Sequence, residues 1–104
     1  MVLYNLIFSE RALINIENID KYLLSIWGIN AAKKFHKKMD DFATSVINKP
    51  TIGIVCSRKR GREIRQFPIT KQNLVIYRID KTNIRVLKVF DVRQHPNKKL
   101  QGIK

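Results

Sequence analysis

The chain has 104 residues, enough for one modest core, and reads as a single domain over 1–104 with 95–104 set apart as a basic tail. A hydrophobic fraction of 44% excludes disorder as the default, while 21 basic against 8 acidic side chains give a net charge of +13. The lone cysteine, Cys56, excludes an internal disulfide and a cysteine zinc cluster, and no apolar run reaches the length of a membrane span, so the expected protein is soluble, cytoplasmic and not membrane-bound.

Tyr4, Leu6 and Phe8 fall on one face of a short predicted strand over 4–8. Ser9 then offers a helix N-cap, and Glu10 suits the positive end of the helix dipole. Ala12, Ile16, Ile19, Leu23 and Ile26 recur at alternating spacings of four and three, which is one face of a helix, and Gly28 supplies its stop. Trp27, beside that glycine, is placed in the core at a hairpin tip. Asn30 is taken as the cap of a second helix with Ala32, Phe35, Met39, Phe42 and Val46 on its apolar face, ended by Asn48-Lys49-Pro50. Only Gly-Ile-Asn separates the two, so they form an antiparallel hairpin.

Over 51–62 the periodicity stops. Gly53 and Gly61 bracket an irregular stretch ending in Arg58-Lys59-Arg60, expected to be a surface loop. Three strand-like runs follow, at 63–69, 74–79 and 84–93. Pro68 marks the first as an edge or a strand end. The last is the longest and most β-branched; strict alternation puts Val86, Phe90 and Val92 on one face and Arg85, Leu87 and Val89 on the other, as in a strand flanked on both sides. The order predicts an α+β fold: an N-terminal strand, an antiparallel helical hairpin, then a three-stranded antiparallel meander, forming one sheet with the helices on one face. The other face is then open for arginines to project from.

The charge is unevenly spread. Residues 1–57 carry 7 basic and 5 acidic side chains, and residues 58–104 carry 14 and 3. Glu63, Asp80 and Asp91 are too few to pair with that many cations, so the excess points to a large acidic or polyanionic partner. The candidate contacts are Arg58, Lys59, Arg60, Arg62, Arg78, Arg85, Lys98 and Lys99; the planar arginine fork suits phosphates and carboxylates alike. His36 lies one turn before Asp40, a spacing able to ligate a metal, but with no second pair of ligands a solvated helix face is the stronger reading. Asp41 is in register to pair with Lys37 one turn back. No metal or cofactor is expected.

The strand runs are Glu63-Ile64-Arg65-Gln66-Phe67-Pro68, Leu74-Val75-Ile76-Tyr77-Arg78-Ile79 and Ile84 to Arg93, with Pro96 beyond. Together with the opening Tyr-x-Leu-x-Phe-Ser and the paired helices, they make the chain resemble the RelE/ParE superfamily of bacterial toxins over almost its whole length. The resemblance implies a toxin of a type II toxin–antitoxin system, held in a hetero-oligomer by a cognate acidic antitoxin that folds around helices and sheet. It also implies one of two targets. RelE-like members are ribosome-dependent endoribonucleases that cut messenger RNA through its 2′-hydroxyl; on that branch Arg65, Arg93 and His95 form the catalytic set. ParE-like members inhibit DNA gyrase without a catalytic centre and have a longer hairpin. No Tyr or Trp follows Tyr77, where the ribonuclease branch commonly places a tyrosine, and the hairpin is long. Both features favour gyrase, with the ribonuclease as the alternative and a non-toxic nucleic-acid-binding domain as a third reading.

Overall fold

A computed structural model describes residues 3–92. Strand β1 (Asn5–Phe8) leads into helices α1 (Glu10–Ile26) and α2 (Ile29–Asn48) and a single 3-10 turn (Pro50–Ile52). Strands β2 (Ile54–Lys59), β3 (Arg62–Pro68), β4 (Asn73–Asp80) and β5 (Asn83–Asp91) follow. The sheet order is β1-β5-β4-β3-β2, with β1 parallel to β5 and the remaining pairs antiparallel. No helix among the described residues is long and apolar enough to cross a membrane.

The α+β architecture of strand, helical hairpin and meander agrees with the sequence reading, and the structure adds a strand to it. The stretch expected to be a loop contains β2, which pairs with β3 through a two-residue turn, Arg60-Gly61. Both turn residues have positive φ, 54° and 77°, the geometry whose twist matches that of the flanking strands. The basic run Arg58-Lys59-Arg60 looked like solvated loop because charge obscured the strand character of Ile54, Val55 and Cys56. The meander is therefore four-stranded.

A second difference concerns phase. Ile76 opposes Lys88 while Tyr77 opposes Val86, so Leu87 is an extra residue in β5. This bulge shifts the alternation by one. Val86 and Val89 consequently both pack in the cluster beneath the helices, and Phe90 joins Leu87 on the opposite side, against the strict alternation expected. As anticipated, β5 is interior, flanked by β1 and β4.

Ser9 works in two directions. Its Oγ accepts from the Ala12 amide at 3.0 Å, capping α1, and donates to the Leu87 carbonyl at 2.8 Å. Where β1 ends, the edge of β5 is thus met by side chains instead of a strand, since Asn15 Oδ1 also accepts from the Val89 amide at 3.0 Å. The hairpin tip departs from expectation. Gly28, not Asn30, stands at the start of α2, with φ 91° that few other residues tolerate. Its amide also donates to the Leu23 carbonyl, so one glycine ends α1 and begins α2.

The main core lies between the hairpin and the sheet. Ala12, Phe35, Met39, Phe42 and Val46 meet Val75, Tyr77, Ile84, Val86 and Val89, with Ile16, Ile19 and Leu23 partly buried around them. Ile26 and Trp27 do not join this core; they are 60% and 67% exposed. The helix-free face is not simply open, because Ile64, Ile76 and Phe90 are buried on it with Cys56, Leu74 and Leu87 packed beside them. Behind α2, the Tyr77 hydroxyl donates to the Pro50 carbonyl at 2.7 Å and accepts from the Gly53 amide at 2.8 Å. The chain leaving the hairpin is pinned to the central strand in this way.

Candidate functional site

Both two-residue turns, 60–61 and 81–82, lie at the same end of the sheet, since β3 and β4 pair antiparallel with Arg65 opposite Tyr77. That end gathers the expected cations Arg58, Lys59, Arg60, Arg62, Arg78 and Arg85. Arg78 and Arg85 are direct cross-strand partners. Like charges so placed repel, and an anion between them relieves the repulsion. Asp80 supplies it. Its Oδ2 takes Arg78 Nε at 2.9 Å and Arg85 Nε at 3.2 Å, and its Oδ1 lies 3.6 Å from Arg62 Nη1. Partial burial disfavours the charged carboxylate, but the Arg78 hydrogen bond and the charges of Arg78, Arg62 and Arg85 outweigh it and hold the Asp80 carboxyl below its usual range. These groups, with Lys81 and Asn83, line an open depression of about 490 Å³.

Glu63 organises a second group on the other side of the sheet. It binds Arg58 Nη2 at 2.9 Å and Arg65 Nη2 at 3.3 Å. Arg65 stands opposite Tyr77, on the helix side, and not on an open face as expected. Its Nη1 donates to the Gly53 carbonyl at 2.8 Å, and its side chain is only 16% exposed. Arg65 therefore braces the same connection that Tyr77 pins. Burial, ahead of the lowering influences of the Gly53 amide and the Arg65 charge, pushes the Tyr77 phenol up.

Of the remaining expected site residues, Arg93, His95, Lys98 and Lys99 lie outside the described residues. His36 Nε2 pairs with Asp20 across the hairpin at 2.9 Å, and Lys37 reaches Asp41 at 3.7 Å. No group of three or more His, Cys, Asp or Glu side chains able to hold a metal occurs among the described residues. Asp80, Lys81 and Asn83 were not anticipated as site residues. The one available signal was Asp80, an acid two residues after an arginine on a strand. Lys88 was also missed: it is 7% exposed, with Nζ 5.4 Å from the Phe90 ring centroid, and burial followed by the nearby Arg11 charge lowers its pKa.

A family model described as the ParE toxin of the type II toxin-antitoxin system, parDE, matches residues 6–96. The chain belongs to this family of type II toxin–antitoxin toxins. Comparison with curated proteins finds no significant match. Among solved structures, a chain of the chromosomal ParDE TA system from P. aeruginosa superposes with a TM-score of 0.70 at 15% identity, covering 86% of this chain and 97% of that one. A chain of the YoeB dimer from Staphylococcus aureus gives 0.56 at 21% identity, covering 86% and 97%. One from the E. coli DinJ-YafQ toxin-antitoxin complex gives 0.58 at 12%, covering 86% and 93%. At such identities the likeness is one of fold.

Proposed function

We propose that this chain acts as a type II toxin by inhibiting DNA gyrase, without a catalytic centre of its own, and that a cognate acidic antitoxin neutralises it in a cytoplasmic hetero-oligomer. The observation that carries the choice of target is the state of Arg65. A ribonuclease reading needs this guanidinium free to meet a crowded phosphate, yet it is committed to the Gly53 carbonyl and to Glu63. A side chain used to brace a loop is poorly placed for that task. The match to the ParE toxin family supports the same branch. Family membership also weighs against a non-toxic nucleic-acid-binding domain.

The antitoxin rests on two properties of the surface. A net charge of +13 favours an acidic partner. The hairpin also leaves the apolar side chains of Leu13, Ile14, Tyr22, Leu24, Ile26 and Trp27 more than two-fifths exposed, apolar contacts that a partner segment would cover. An acidic amphipathic segment would satisfy both.

Purified protein added to gyrase and relaxed plasmid should abolish supercoiling, and the antitoxin should restore it. Full supercoiling at a stoichiometric excess of toxin would refute the gyrase reading. Primer extension on translated messages, comparing wild type with Arg93→Ala, probes the ribonuclease alternative: cuts in the ribosomal A site that vanish in the variant would establish it.

A further inference from the structure

The cluster around Asp80 is more than a neutralised ion-pair network. One carboxylate shared by three guanidiniums leaves a net +2, and Lys81, exposed in the adjoining turn, adds a further charge. Asp80 engages Arg78 and Arg85 through Nε, the inner edge of each fork. The side chain of Arg85, 41% exposed, can turn its terminal nitrogens to another acceptor. Arg62 and Arg85 keep 55% and 41% of their side chains in solvent, and Arg78 keeps 18%. The groups converge on one open depression.

We propose that this depression binds phosphate groups of a nucleic-acid backbone, with Arg62, Arg85 and Lys81 making the contacts, Arg78 adding charge and Asp80 competing for the same guanidiniums. A phosphate presents more acceptor oxygens than a carboxylate, and so can engage several guanidinium forks arranged about one centre. The residues lining the depression include no aromatic ring on which a base could stack, so the contact is to the backbone and independent of sequence. Lys59 and Arg60 extend the site. Lys59 ends β2 and Arg60 opens the second turn at the same sheet end, about 10 Å away at two strand spacings, within reach of the next phosphates along a strand. The proposal stands apart from the choice of toxin target.

Fluorescence anisotropy of a short labelled DNA duplex, titrated with the full chain over a range of salt concentrations, tests it. Arg85→Gln and Lys81→Gln should each weaken binding several-fold and reduce the salt slope by about one. Asp80→Asn, which removes the competing carboxylate, should tighten binding. Circular dichroism confirms that each variant remains folded. Unchanged affinity and slope in folded Arg85→Gln and Lys81→Gln, or weaker binding in Asp80→Asn, would overturn the proposal. So would a poly-glutamate peptide that binds with this same variant dependence while the duplex does not, an outcome that assigns the site to an acidic protein. No gyrase is present in the assay, so its failure and failure of the toxin reading are separate results.

Discussion

Tyr77, Gly53 and Arg65 act as one device. The tyrosine hydroxyl bridges Pro50 and Gly53, the arginine holds the Gly53 carbonyl, and a Cβ on Gly53 would fall 2.7 Å from the tyrosine ring and hydroxyl. Tyr77→Phe should lower unfolding stability by about 1–3 kcal/mol, because two backbone groups lose a partner in a dry site; urea denaturation measures it. Asp80 gives a pH-dependent counterpart. Its native pKa is lowered from 3.8, so its stabilising contribution is complete above that value and is lost as pH falls through the native one. The urea midpoint of wild type should exceed that of Asp80→Asn near neutrality, and the two should converge in strong acid. Little of this was legible beforehand. Tyr77 meets Gly53 and Pro50 across 24 and 27 residues, a separation no local pattern reports. The possibility that acids hold individual arginines was visible, but not that Glu63 would bind Arg65 on the helix side.

Among the elements, the helical hairpin was the most readable and its tip the least. Every apolar position expected on α2 is buried, and those of α1 as far as Leu23 pack on the core, because a period of three and four reports directly which side meets the sheet. Periodicity does not say where the partner surface ends. In the last turn of α1, Ile26 lies outside the core and is mostly exposed, and Trp27 and Ile29 follow it into solvent at 67% and 57% exposure. Trp27→Ala should therefore shift stability by no more than about 0.5 kcal/mol. As the only tryptophan, Trp27 should emit at the long wavelengths of an exposed indole in the free protein, and move to shorter ones if antitoxin covers the tip. Emission already characteristic of a buried ring in the monomer would contradict this arrangement. The β strands were legible in proportion to their charge and regularity. β2 was hidden by its basic end, and the face of each β5 residue was lost at the Leu87 bulge, which depends on register with β4.

For the whole molecule, the sheet separates two kinds of surface. On one side the hairpin covers the main core and leaves several apolar side chains exposed; at the turn end of the sheet, arginines gather about Asp80. The excess of base over acid in residues 58–104 was plain in the sequence, whereas its division between bracing and presentation required the fold. Arg65 went to bracing, and Arg62 and Arg85 remain half in solvent. A toxin that binds its target instead of cutting it is the reading this division supports best. The direct measurement follows the order of events after induction in growing cells, by plasmid topology and by incorporation of labelled amino acid. The expected result is loss of negative supercoiling and a DNA-damage response while translation continues. Immediate arrest of translation with supercoiling intact would contradict it.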